Sequence, residues 1–414
     1  MNILILHRIP YHYIEYAETI DHQAHNVVYV GVEKALANIP AELRCTKLER
    51  PGERAVNLEV LEQVKELDIG FDLVISLSEY ELMEAALVRK ALNVAGPSVE
   101  QITKVRDKLV MKQCMSEHNI DAPAFMSLSQ WLADRTAFAA DAMLILKPLD
   151  GASSENVLKF SNEQALLAAL EGKSTGIACL DAEKPDYSGF EVEEFVQGNI
   201  LHFDGLISKG ELKLCVKSQY IGNLLAFASK GQPCASVQLE ISAEELSWVE
   251  QVLAAVELEQ GAFHLEVIDA DRGLVFLEVA NRAGGARIIP TFKKQTGIHL
   301  PSAELALLLD ADHEFTPEYD LENKYSWIIV PGHHYDKKYC QISGHEFLLE
   351  YEGLLALETI PQNQPLPDHI SYLEGDIPLT AFIKAESTPA LLEVIERLFT
   401  SIKIEVADQE FAVN

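Results

Sequence analysis

"VFLEVANRAGGARIIP", residues 275–290, decides how the rest of the chain is read. The apolar, β-branched start reads as a strand. It gives way at once to Asn281, Arg282, Gly284 and Gly285, and paired glycines let a backbone come close to another group. Glu278 then stands where strand becomes loop. One turn back, "FHLEV" (263–267) is a second run of the same kind, joined to the first through "DADRG" (269–273). If the two form a hairpin, Glu266 and Glu278 face each other across the ladder, where like charges repel unless a cation lies between them. Oxygen ligands so placed suit Mg²⁺ bridging nucleotide phosphates. The alternative is two glutamates on the wet face of a hairpin, and these residues alone leave both readings open.

Further upstream, Lys147 ends the apolar strand "LILKPL" (144–149) and precedes Gly151, Ala152, Ser153 and Ser154, whose amides can approach phosphate oxygens. In "FEVEEFVQG" (190–198), Glu193 and Glu194 sit at a strand end among apolar neighbours, a costly place for two carboxylates without a cation or donors. Surface charge on an edge strand is the competing reading. Three other stretches are set aside. "LEGKST" (170–175) has Leu167 where a phosphate loop needs glycine, so Gly172 reads as a helix cap. "FHLE" lacks the P-C-x-x-C of a zinc deaminase, and "PGHHYDKKYC" (331–340) reads as a solvated turn rather than a metal site.

Composition narrows the function classes. With 414 residues, 48% of them apolar, the chain can bury more than one core. Sixty-four acidic against 33 basic residues give a formal charge of −31, which argues against nucleic acid or an anionic membrane as the main partner. The six cysteines form no C-x-x-C pair and read as reduced thiols. "MNILILHRIPYHY" is too short in its apolar run for a signal peptide, and no later run is long enough to span a membrane. A cytoplasmic protein is expected.

Residues 1–96 read as an α/β domain with buried parallel strands, "NILIL" and "FDLVISLS" among them, ending at "AGPS". A basic amphipathic helix is expected from 99 to about 125 and, with the mixed strands and helix that follow, makes up 97–195. Alternating strands then fill 196–310, interrupted by a helix whose capping box is Ser242 and Glu245. Strands, Pro-rich turns and a helix form an expected α+β subdomain over 311–414.

The ordered set "RDKLVMKQCMSEHNIDAPA", "LILKPLDGASSENV", "EVEEFVQG", "LHFDGLI", "FHLEV" and "FLEVANRAGG" resembles the ATP-grasp ligases, and among them the carboxylate–amine ligases such as the L-amino-acid ligases and dapdiamide synthetase. The resemblance covers nearly the whole chain. It implies an α/β ATP-grasp fold: an N-terminal parallel-sheet domain, a small lid lobe and a larger antiparallel-sheet lobe. It implies ATP, with Mg²⁺ or Mn²⁺, and small-molecule acid and amine substrates. By position, Lys108 and Lys147 would contact phosphates, with Ser153 and Ser154 assisting a loop that has one glycine. Glu194 and Val196 would offer main-chain bonds to adenine, with Glu193 close by and Asn199 near the ribose. Glu266 and Glu278 would hold the metal. Where the family often has Asn two residues after the second metal glutamate, this chain has Ala280, and Asn281 is the expected substitute. Arg282 would stabilise an acyl phosphate and its tetrahedral successor. Lys217, Tyr220 and Lys293 are candidate substrate contacts, and a homodimer is a symmetry-based expectation. The alternatives kept open are a small-molecule phosphotransferase and a non-catalytic nucleotide-binding module.

Overall fold

The computed structural model describes residues 1–372 and 375–411. Strands β1 (Asn2–Leu6), β2 (Asn26–Gly31), β3 (Thr46–Glu49) and β4 (Leu73–Ile75) form a parallel sheet in the order β3-β2-β1-β4. Ile3, Ile5, Val27 and Tyr29 enter one buried cluster, and Leu4, Leu6, Val28 and Val30 enter another. The alternation of side chains therefore buries both faces, as a parallel sheet requires.

The helix expected from 99 to about 125 is two helices, Val99–Lys104 and Lys108–Glu117. The break has a local cause: the Asp107 carboxylate accepts from the amides of Leu109 and Val110 and so caps a new helix start. Lys108 is thereby fixed as the first residue of the second helix.

Strands β5 (Phe125–Ser127), β6 (Leu144–Pro148), β7 (Leu158–Phe160) and β8 (Phe190–Glu194) make an antiparallel sheet in the order β5-β8-β6-β7. Leu144, Leu146, Phe190 and Val192 pack with Trp131 and Leu166 beneath the lobe's helices. The residues of opposite parity, Lys147, Glu191 and Glu193, consequently lie on the other face.

The large sheet begins with β9 (Asn199–Ser208), β10 (Glu211–Ile221), β11 (Cys234–Leu239), β12 (Gln260–Ala270), β13 (Gly273–Ala280) and β14 (Lys324–Val330). After β15 (Tyr339–Ser343) come β16 (Leu354–Thr359), β17 (Leu379–Ala385) and β18 (Lys403–Ala407), the last paired with β15. The eight-stranded order is β13-β12-β9-β10-β11-β14-β17-β16. Within 311–414, expected as a subdomain, β14, β17 and β16 extend the sheet begun before residue 310, while β15 and β18 pair with each other. Phe203, Phe263, Leu265, Val267 and Phe276 pack into the core on one face, which leaves His202, Asp204, His264 and Glu266 on the other. Among the described residues no helix is long and apolar enough to cross a membrane.

Candidate functional site

Glu266 and Glu278 are direct partners in the β12–β13 register, which shifts immediately afterwards so that Val267 pairs with Phe276. The bulge leaves Leu277 as the extra residue, and Leu277 and Glu278 both line one cleft. Bulges re-aim side chains in this way beside functional sites. The cleft lies between the small sheet and the large one and is lined from both. Its lining combines apolar Ile145, Val157, Ile268 and Leu277 with charged Lys108, Lys147, Glu266 and Glu278. A second cavity shares Ser154, Tyr220, Leu224, Glu266 and Glu278 with it and adds His264, Arg282, Trp327 and Tyr372. The carboxylate pair therefore stands at the junction of two adjoining spaces.

The cations expected at this junction are there. Lys108 Nζ lies 3.2 Å from Glu278 Oε2 and donates to the Gly151 carbonyl at 2.8 Å, tying the small-residue loop to the large sheet. Burial raises the affinity of Glu278 for a proton, but Lys108 and Lys147 outweigh it and hold the carboxyl down to about 2. In the loop that follows β6, Ser153, Ser154 and Asn156 have φ of 59°, 56° and 57°. Three non-glycine residues in the left-handed region are strain of the kind that collects at ligand-binding loops. Ser154 lines both cavities and Ser153 only the second.

Lys147 belongs to a buried square of charge. Its Nζ is 2.8 Å from Glu193 Oε1 and 3.6 Å from Glu191 Oε1. Lys112 Nζ is 2.5 Å from Glu191 Oε1 and 2.6 Å from Glu193 Oε2. Burial lowers the proton affinity of Lys147, but Glu193, Glu191 and Glu278 more than reverse this. For Lys112 burial wins and the shift is downward. Glu193 therefore pairs with Glu191, its neighbour in strand parity, rather than with Glu194. The Glu194 side chain turns to the rim and meets Arg272 at 3.0 Å. Its amide is committed to Ala124 O, and that of Phe195 to Met143 O. What this segment can offer an adenine edge is accordingly carbonyl oxygen and the backbone of Val196, which lines the cleft.

Arg282, half-buried, reaches from the loop after β13 to the parallel-sheet domain. Its Nε donates to Glu79 Oε2 at 2.6 Å, and a terminal nitrogen lies 2.5 Å from the same oxygen. Arg106 binds the other Glu79 oxygen. Burial pushes the Glu79 carboxyl up, but the two guanidinium groups outweigh it and the net shift is downward. The parallel-sheet domain thus supplies the group that aims Arg282.

Two expected residues are not brought to the site. Asn281 donates from Nδ2 to Gln260 O at 3.2 Å and to Ala262 O at 2.9 Å, under the sheet and away from both cavities. The reason is parity: Ala280 follows Glu278 on the site face, so Asn281 falls on the opposite one. Asn199 is exposed at the start of β9, opposite Asp269, and lines neither cavity. Of the candidate substrate contacts, Tyr220 lines both cavities, whereas Lys217 pairs with Glu245 and Lys293 lies 3.7 Å from Glu15.

The sequence reading also missed a buried network. His202, Asp204 and His264 converge closely enough to be the one metal-capable His/Cys/Asp/Glu group among the described residues. Their facing atoms serve one another instead: His264 Nδ1 meets Asp204 Oδ1 at 2.8 Å and His202 Nδ1 meets Asp204 Oδ2 at 2.6 Å. His264 Nε2 lies 3.3 Å from Glu266 Oε1. Burial opposes charge on His264, but Asp204 and Glu266 overcome it and raise the ring to about 10. The only prior signal was the H-x-E spacing on a strand, which puts both side chains on one face.

Comparison with known proteins bears on the fold. Residues 140–290 match the ATP-grasp domain family. An L-arginine-specific L-amino acid ligase of Bacillus subtilis is 26% identical over 257 residues, 60% of this chain and 61% of that protein, so the match leaves more than a third of the relative's length uncovered. The crystal structure of an L-amino acid ligase from Bacillus licheniformis superposes with a TM-score of 0.71 at 17% identity, covering 98% of each chain. N5-carboxyaminoimidazole ribonucleotide synthetase from Thermotoga maritima gives 0.65 at 15% identity, over 98% of this chain and 99% of its own. At such identities the structural likeness establishes the fold.

Proposed function

From the premise that the chain has the ATP-grasp fold, with the domain itself at residues 140–290, we propose that it is an ADP-forming ligase joining a carboxylic acid to an amine. The observation that carries the reading is the junction of the two cavities: Glu266 and Glu278 line both the cleft that holds Lys108 and Lys147 and the pocket that holds Arg282. Attack on a carboxylate needs its oxygen turned into a leaving group, and phosphorylation by ATP does this. ATP and the acid are both anions, so the site must gather positive charge where they meet.

In this reading ATP lies in the larger cleft, with adenine against the Glu194–Val196 backbone and phosphates beside Lys108, Lys147 and the loop 151–156. The paired carboxylates fit a divalent cation: they are hard oxygen donors one ladder step apart, and Glu278 is held ionised. Mg²⁺ there would neutralise phosphate charge as it shifts toward the leaving ADP. The acid occupies the second cavity with its carboxylate toward Arg282, which then meets the charge on the acyl phosphate and on the tetrahedral adduct formed by the amine. Attack by the amine forms the C–N bond; collapse of the adduct then restores the C=O bond, breaks the C–O bond to the phosphorus-bound oxygen and, with loss of the amine proton, leaves the amide and free phosphate. Exclusion of water is required because an exposed acyl phosphate hydrolyses, and the small lobe of β5–β8 is the element placed to cover the cleft. An amino acid or amino-acid-like acid is the substrate class we infer from the named specificity of the Bacillus subtilis relative. We infer a cytoplasmic protein, where such metabolites and ATP are at hand.

The test is ADP release with Mg²⁺ across paired acids and amines, with Glu278→Gln as the inactive control. Release that requires both partners supports the ligase. Release with the acid or another acceptor alone indicates phosphotransfer, and nucleotide binding without turnover indicates a sensing module.

A further inference from the structure

The buried network beneath Glu266 has a direction. Asp204, with its side chain 3% exposed, holds two histidines, one on each carboxylate oxygen. Both branches lead to one atom. On the first, His264 is fixed at Nδ1 by Asp204 and offers Nε2 to Glu266 Oε1 at 3.3 Å. On the second, His202 is fixed between Asp204 and Ser236 Oγ, the latter at 2.7 Å, and its ring stacks on Tyr220 at 4.5 Å. The Tyr220 hydroxyl then donates to the same Glu266 Oε1 at 3.0 Å. Gly284 presses on the assembly from the loop, its α-carbon leaving no space for a methyl beside Asp204 and His264.

Burying a carboxylate and two imidazoles on a sheet face is expensive, and apolar residues would fill the space at less cost. A network that serves only packing has no reason to converge on an oxygen at the junction of two cavities. We propose that Asp204, His202, His264 and Tyr220 form an outer shell that fixes Glu266 as a metal ligand, occupying Oε1 with two donors so that Oε2 is the oxygen offered to the ion. His264 and Tyr220 are positioning residues, acting through Glu266. The inference rests on the nucleotide-and-metal reading above. It also gives the H-x-E spacing of β12 a role: the two-residue step places the donor and its carboxylate on the same face.

The experiment is a Mn²⁺ titration of the full chain followed by electron paramagnetic resonance, with a non-hydrolysable ATP analogue at saturation. Loss of an outer-shell partner weakens metal binding by roughly 10–100-fold, which is the expected result for His264→Ala. His264→Gln keeps an N–H donor near the Nε2 position and is expected to retain most of the affinity. Tyr220→Phe removes one hydroxyl and nothing else, so it decides the matter if His264→Ala fails to fold; it is expected to weaken Mn²⁺ in the same direction. Folded His264→Ala or Tyr220→Phe protein that binds Mn²⁺ as tightly as the unmodified chain overturns the inference. Absence of Mn²⁺ binding by the unmodified chain with nucleotide overturns the metal reading beneath it, so the two failures are distinguishable.

Discussion

Lys112→Met removes one corner of the buried charge square while keeping an unbranched side chain one atom shorter. Lys112 sits between Glu191 Oε1 at 2.5 Å and Glu193 Oε2 at 2.6 Å, and the side chains of all three are 0–3% exposed. Lys147 alone would then face two buried carboxylates. Breaking a buried pair by deleting one partner typically costs about 3–5 kcal/mol, because an uncompensated charge is left behind. A second route gives the same size. If one carboxyl escapes by taking up a proton, neutralising a group of ordinary pKa about 4.3 at about pH 7 costs roughly 3.7 kcal/mol, and at about pH 5 only roughly 1 kcal/mol. The sign follows from linkage. A carboxyl whose folded pKa is raised above its unfolded value contributes stability that is present below the unfolded value and lost as pH rises. The defect in Lys112→Met should therefore shrink as the pH is lowered. Lys112→Met with Glu191→Gln leaves one cation and one anion and should recover most of the loss. Hydrogen exchange of the β6 and β8 amides reads the local opening free energy directly. A loss below about 1 kcal/mol at neutral pH, or one independent of pH, would refute the view that these four groups are an obligate neutral set.

Two further perturbations test other parts of the structure. A methyl at Gly284 would meet Ile288 Cδ1 at 2.5 Å, Asp204 Oδ1 at 2.7 Å and His264 Nδ1 at 3.0 Å, whereas one at Gly285 would meet nothing within 4 Å. Gly284→Ala should therefore displace the loop that carries Arg282 and lower turnover on the order of 100-fold, with Gly285→Ala near unchanged; equal effects in a steady-state assay would contradict the packing. Glu304 is buried, and burial pushes its carboxyl up to about 8 from 4.5. The stability it contributes is thus present below 4.5 and lost as the pH rises through about 8. Glu304→Gln should gain melting temperature relative to the unmodified protein at the alkaline side of that window and not at the acid side.

The β12–β13 hairpin was legible because both strands are short apolar runs with one charged interruption, and a tight turn sets their register. Lys147 was legible as the polar end of a buried strand. Strand parity separates the side chains that the structure brings to one face from those it does not. Glu191 and Glu193 share a face and Glu194 does not, and Ala280 shares the face of Glu278 while Asn281 does not. A strict count of alternation would have paired the right glutamates and excluded Asn281. Other parts carried no local signal. Glu79 reaches Arg282 across 203 positions of sequence, and His202 and Asp204 join His264 only because β9 lies beside β12. The joining of β14, β16 and β17 to the large sheet likewise depends on β14 pairing with β11, a long-range contact that no local pattern of Pro-rich turns announces.

The central claim is an acyl phosphate formed on the substrate carboxylate, and an isotope label follows that bond. Given an acid carrying ¹⁸O in its carboxylate together with its amine partner, the proposed chemistry moves one carboxylate oxygen to phosphorus, and expulsion by the amine leaves that oxygen in the released phosphate. Mass spectrometry of the phosphate should show one ¹⁸O per turnover, with none in Glu278→Gln. Amide formation with unlabelled phosphate, or labelled acid recovered unchanged beside a phosphorylated second substrate, would contradict the account.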